Sequence, residues 1–202
     1  VSLDGTRFRL DSARWGSCPV RIPLIGAHQA RNAALAAELL GLLPDDLRPS
    51  WEAIEAGFAE VRWAGRMQVV RQRGTTWIFD VAHNPAGVQA LVDALDTLDY
   101  PRPLALVAAI LADKEWDEML PPLLQRADAA ILTIAPTSPE SRRWDPEQVA
   151  TSLAAQIPIR VIPDLPDALM RAETLAPHGT ILVTGSVHTV GDALAALEMP
   201  VV

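Results

Sequence analysis

From Trp63 onward the sequence alternates short apolar runs with amphipathic stretches, and this alternation restricts the fold more than any other feature. Strands are predicted near 67–72, 76–80, 104–110, 129–134, 159–162 and 180–184. Helices near 85–98, 116–126, 145–156, 165–176 and 188–198 fill the intervals. Successive strand–helix steps with short loops demand parallel strands joined by crossover helices, so an α/β fold is expected, with a mostly parallel sheet and helices on both faces. The first two of these strands, joined through Gly74, read as an antiparallel hairpin at the sheet edge.

The residues before Trp63 read differently. Thr6 to Leu10 and Val20 to Leu24 show strand patterning around a turn placed at Gly16-Ser17. Residues 27–43 are rich in Ala and Leu with helical periodicity, ended by Gly41 and Pro44, and Ser50 can cap a second helix over Trp51 to Phe58. Two strands do not stand alone, and no sheet for them to join is evident. A domain boundary is therefore expected near residue 62, with residues 1–62 the end of one domain and 63–202 a second.

Charge and cysteine content narrow the setting. A formal net charge of −8 and a pI near 4.9 argue against nucleic-acid or anionic-membrane binding, because phosphate surfaces select basic patches. The longest apolar stretch, Leu104 to Ala112, is too short to span a bilayer. Cys18 is the single cysteine, and no secretory n-region or h-region opens the sequence, so a cytoplasmic location is expected.

The chemistry concentrates at predicted strand ends. The run Trp77-Ile78-Phe79-Asp80-Val81-Ala82-His83-Asn84-Pro85 takes an apolar strand into a carboxylate, an imidazole and an amide just before a helix that Pro85 opens. Open α/β sheets bind ligands at such carboxyl ends, and the helix start adds N–H groups suited to an anion. A capping aspartate beside a satisfied core histidine is the plainer alternative. No third ligand at a recognisable spacing supports a metal there.

Lys114, the only lysine, follows the next apolar strand in Asp113-Lys114-Glu115. It suits an anionic substrate and equally a solvated surface. Gly185-Ser186 follows the last strand and offers hydroxyl and N–H groups, or simply a glycine turn. Arg66, after Gly65, can clamp a phosphate or be an ordinary surface arginine. Gln29 and Asn32, three apart, share a helical face where an amide pair can read an adenine edge; His28 capping an Ala-rich helix, with Asn32 solvated, is the alternative. Arg142-Arg143 reads as a solvated pair or a second anion contact.

Absences exclude other classes. No two glycines lie two apart, so the dinucleotide fingerprint and with it a nicotinamide oxidoreductase are disfavoured. The P-loop pattern and the G-x-S-x-G elbow are missing as well.

In order, Gly26-Ala27-His28-Gln29 with Asn32, Gly65-Arg66-Met67-Gln68, Asp80-Val81-Ala82-His83-Asn84-Pro85, Asp113-Lys114 and Gly185-Ser186-Val187-His188-Thr189-Val190 resemble the carboxyl-terminal part of folylpolyglutamate synthase/dihydrofolate synthase, in the Mur ligase superfamily. Ala64 departs from the proline common there. The resemblance implies a Rossmann-like domain over 63–202, preceded by the carboxyl-terminal remnant of an ATPase (central) domain over 1–62. It also implies that the P-loop, the Mg2+ ligands and the pterin pocket lie upstream, with no metal ligands in this chain.

The implied activity is ATP-dependent ligation of L-glutamate to dihydropteroate, or to the glutamate tail of a reduced folate, through an acyl phosphate. Asn32 and Gln29 would then contact adenine, Arg66 the phosphates and Asp80 the ribose, with His83 beside the nucleotide. Lys114 and Ser186 would face glutamate. A full-length monomer acting on small molecules is implied, without nucleic-acid or membrane partners. These residues alone would have no ligase activity and weak ATP binding at most. A muramoyl-peptide ligase of the same superfamily and a noncatalytic nucleotide-binding or interaction module are the alternatives.

Overall fold

The computed structural model describes residues 1–153 and 156–199. Cα proximity divides the chain into two compact units, Val1–Trp63 with Asp93–Leu98, and Ala64–Val92 with Asp99–Val202.

In the first unit, β1 (Thr6–Ser12) and β2 (Gly16–Ile22) pair antiparallel from Thr6↔Ile22 to Ser12↔Gly16. The turn is thus at 13–15, and Gly16-Ser17 belongs to the strand. Ser12 Oγ accepts the N–H groups of Arg14 and Trp15, and Ser17 Oγ donates to Asp11 across the hairpin at 2.6 Å. Local turn chemistry at Ser12 and side-chain pairing across the strands outweigh the turn preference of Gly-Ser.

Helices α1 (Ala27–Gly41) and α2 (Trp51–Glu60) pack on this hairpin. Leu10, Val20, Ile22, Ala33, Ala37 and Ile54 form their shared core. The region therefore has a small sheet and core of its own, contrary to the expectation that its strands lack a sheet. Ser50 caps α2 by accepting the N–H of Ala53, as its position suggests.

The second unit is a six-stranded sheet built from β3 (Gln68–Gln72), β4 (Thr75–Asp80), β5 (Leu104–Ala108), β6 (Ala129–Leu132), β7 (Ile159–Val161) and β8 (Thr180–Thr184), in the order β3-β4-β8-β5-β6-β7. Only β3–β4 is antiparallel; all other neighbours are parallel. The α/β class and the edge hairpin are as expected.

The helices between strands are α3 (Pro85–Leu95), α4 (Trp116–Leu124), α5 (Pro146–Ser152), α6 (Leu165–Leu175) and, after β8, α7 (Val187–Ala196). The predicted 145–156 helix ends at Ser152 within the described residues, and its positions 154 and 155 lie outside them. Asp145, Asp164 and Ser186 cap α5, α6 and α7 with side-chain oxygens.

Connectivity sets the layers. The path β5-β6-β7 runs toward one edge and β7-β8 returns, so right-handed crossovers send α6 to the face opposite α4 and α5. Residues from α6 and α7 bury Trp77, Phe79, Val107 and Val183 on that face. On the other face Ile78, Leu104, Leu106, Leu132 and Leu182 are also fully buried. A sheet covered on both sides leaves its carboxyl edge as the place for polar chemistry. There the register aligns Asp80, Thr184, Ala108 and Leu132 in one row of strand ends.

Candidate functional site

Asp80 ends a strand whose six residues are all buried. Its carboxylate turns inward: Oδ2 accepts the N–H of Met67 and Oδ1 the N–H of Ala82, both at 2.9 Å. Burial pushes its carboxyl up to about 6, against the downward pull of those two N–H bonds and of the Arg66 and His83 charges. Thr184, its register neighbour, has a fully buried Oγ1 with no hydrogen-bond partner among the described residues.

The cap of α3 is Asn84, whose Oδ1 accepts the N–H of Gly87 at 2.8 Å. The capping role that the sequence left open for Asp80 thus falls to Asn84. His83 is exposed rather than in the core, and its Nδ1 lies 2.9 Å from the carbonyl of Val81. One of the free N–H groups expected at this helix start is therefore already taken.

Arg66 is exposed and sits between Gly65 at φ 66° and Met67 at φ 48°. The N–H of Val81 donates to the carbonyl of Gly65 at 2.8 Å, so this turn lies directly on the exit of β4. Arg66, Asp80 and His83 are thus gathered at one strand end.

Lys114 follows the exit of β5, half-buried, with Nζ 3.4 Å from Asp113. Asp113 also receives a two-pronged contact from Arg142, Nε at 2.9 Å and Nη2 at 2.8 Å. That hydrogen bonding holds its carboxyl down to about 2. Arg142 lies in a short 3₁₀ turn, Glu140–Arg142, and Arg143 donates to the carbonyls of Ser138 and Pro136. Both arginines are thus tied to neighbouring groups while Arg143 stays exposed and the Arg142 side chain is 41% accessible, in keeping with a solvated pair.

Ser186 is buried as the cap of α7. Its Oγ accepts the N–H of Thr189 and lies 2.7 Å from Thr189 Oγ1, which donates its proton to the carbonyl of Ala109 at 2.6 Å. Because that threonine proton is committed, Ser186 donates within this pair and keeps acceptor capacity alone.

In the first unit, Gln29 is buried and accepts a hydrogen bond from Asn32 Nδ2 at 3.2 Å. The two amides form the side-by-side pair that their spacing implies. Gly26, not His28, is the cap residue of α1.

Sequence reasoning gave no separate role to Met67, Gln68 or Thr189. Gln68 Oε1 accepts the N–H of Gly65 at 3.0 Å. The short Gly65-Arg66-Met67-Gln68 run pointed to the first two, but their partners are backbone groups that only folding identifies. Among the described residues no three His, Cys, Asp or Glu side chains gather where they could hold a metal ion.

The model of the Mur ligase family's glutamate ligase domain matches residues 65–187. The chain belongs to this family. This chain is 32% identical over 214 residues to the dihydrofolate synthase/folylpolyglutamate synthase of Mycobacterium tuberculosis, covering 96% of this chain and 43% of that protein. It is also 32% identical over 191 residues to a UDP-N-acetylmuramoyl-L-alanyl-D-glutamate–2,6-diaminopimelate ligase of Alkalilimnicola ehrlichii, covering 91% and 37%. Among solved structures it is similar to E. coli FolC in complex with DHPP and ADP, with TM-score 0.77 and 28% identity over 93% of this chain and 43% of that one. This chain thus spans less than half the length of each of these proteins.

Proposed function

We propose that these residues serve an ATP-dependent amide ligase that adds L-glutamate to dihydropteroate or to the glutamate tail of a reduced folate. The observation that carries this reading is the gathering of Arg66, Asp80 and His83 at the exit of β4, within a domain of the glutamate ligase family. A carboxylate oxygen of the acceptor attacks the γ-phosphorus of ATP and ADP leaves. The glutamate nitrogen then attacks the acyl carbon, phosphate leaves, and the nitrogen gives up its proton. The protein's part is positioning and charge stabilisation.

Arg66 contacts the phosphates in this reading, and its planar guanidinium on an exposed turn suits them. Asp80 uses its remaining lone pairs for a ribose hydroxyl, with His83 beside the nucleotide. Gln29 and Asn32 contact adenine. Lys114 serves a carboxylate of the incoming glutamate. Ser186, left with acceptor capacity alone, suits the glutamate amine better than a carboxylate.

Residues 1–62 correspond in this reading to the end of the ATPase domain and 63–202 to the glutamate-side domain. Mg2+ is held by groups outside the described residues, and no step here passes through it. We place the enzyme in the cytoplasm as a monomer acting on small molecules.

The test uses the natural polypeptide that carries these residues. ADP and phosphate should form only when glutamate is present with dihydropteroate or tetrahydrofolate, and the two acceptors separate the two folate steps. Lys114→Ala should raise the KM for glutamate about tenfold with little change for ATP, the loss of one charge-assisted contact. Turnover with a UDP-muramoyl peptide and not with a folate acceptor would instead assign the muramoyl-ligase reading, which the A. ehrlichii relative supports.

A further inference from the structure

The turn Gly65–Met67 is held in a shape that its own sequence does not favour. Gly65 and Met67 both have positive φ, 66° and 48°, on either side of Arg66. For Met67 this is a conformation L residues seldom adopt, and its side chain is nearly fully buried while Arg66 stays exposed. Gly65 has no room for a larger residue, since an added Cβ would lie 2.7 Å from Val81 Cγ1.

Polar ties fasten it. The N–H of Met67 donates to Asp80 Oδ2, the N–H of Gly65 to Gln68 Oε1, and the N–H of Val81 to the carbonyl of Gly65. A carboxylate serving only a ribose would keep its oxygens toward the ligand. The Asp80 oxygens instead each satisfy a backbone N–H, one of them thirteen residues back in the chain.

We propose that Asp80 and Gln68 are positioning residues that clamp the Gly65–Met67 turn, so that Arg66 is already presented toward the ligand phosphates when the nucleotide arrives. This rests on the reading of Arg66 as the phosphate contact. Asp80 then contributes to nucleotide binding twice, once at the sugar and once through Arg66. Gln68 contributes only through Arg66.

Binding of ATP and of adenosine to the natural polypeptide separates these contributions. Gln68→Ala should weaken ATP about tenfold and leave adenosine unchanged, the effect of one lost positioning bond. Asp80→Asn should weaken ATP by about tenfold more than it weakens adenosine. Both excess losses should vanish when Arg66 is already alanine, because the turn then has nothing to present.

Equal losses for ATP and adenosine, or losses that add to Arg66→Ala, would overturn the proposal. A wild-type protein that binds neither ligand would refute the nucleotide reading, and the clamp would still be decided by amide exchange. Residues 64–68 should then exchange at least about tenfold faster in Asp80→Asn and Gln68→Ala while β5 and β8 keep their protection. Unchanged exchange in that turn would sink the clamp itself.

Discussion

The exits of β4 and β8 and the loops after β5 and β6 share one edge of the sheet, yet they are built in opposite ways. At the first pair, Asp80 and Ser186 are buried and bonded to backbone N–H groups. At the second, Asp113 is exposed and bonded to the side chains of Arg142 and Lys114. The first arrangement is fixed by the fold, and the second by charge. The consequence appears in the carboxyls themselves, one pushed up to about 6 by burial and the other held down to about 2 by its arginine.

The hardest blow to the fold-fixed side is a methyl group at Gly185. Its φ is 118°, and an added Cβ would lie 2.4 Å from the carbonyl oxygen of Ala109. That same oxygen is the acceptor for Thr189 Oγ1. Gly185→Ala should therefore combine backbone strain with overpacking and destabilise the protein by about 4 kcal/mol, read from urea unfolding. A loss below about 1 kcal/mol would mean that this exit yields easily, and the contrast with the charged loops would lose its basis.

A slightly smaller effect follows from Asp80 titration. Its folded-state carboxyl keeps a proton up to about pH 6, whereas in the unfolded chain it ionises near its ordinary value of 3.8. The folded protein therefore holds the extra proton between those values. Its contribution to stability is fully present below about pH 4 and is lost as the pH rises through about 6, a change of about 3 kcal/mol. Asp80→Asn should remove that slope from unfolding free energies measured between pH 4 and 7. A slope that survives the substitution would show that another group carries it.

How far this contrast could be read from the sequence depends on the span of each interaction. The strand ending in Asp80 was legible because an apolar run and a helix-opening proline bracket it. Its partner Met67 was not, because nothing local reveals that a methionine takes a left-handed conformation there. The Gln29–Asn32 pair was legible, since three residues on a helix fix the geometry. The fate of Ser186 was not, because the chain of bonds it starts ends on Ala109, eighty residues from Thr189. Gly16-Ser17 was misplaced as a turn because the cross-strand bond from Ser17 to Asp11 is visible only after the hairpin has paired. Local chemistry was readable, and contacts between distant strand exits were not.

The least perturbing change tests the charge-fixed side. Arg142→Ala removes the two-pronged partner of Asp113, an exposed pair with both side chains more than a third accessible. Solvent screening keeps such pairs to a fraction of a kcal/mol, so the unfolding midpoint at pH 7 should fall by at most about 3 °C. That small difference should close in acid. Because the Asp113 carboxyl is depressed in the folded protein, its contribution is present above about pH 4 and is lost as the pH falls through about 2. Arg142→Ala should flatten that acid limb, and added salt should flatten it in the wild type too, since exposed charges are screened. The loop after β5 would keep its shape, held by the N–H of Ala112 on the carbonyl of Arg142, a backbone bond that alanine retains. A large midpoint shift at pH 7 would mean that the charged loops are structural in the same sense as the exit of β4, and the distinction between the two halves of this edge would fail.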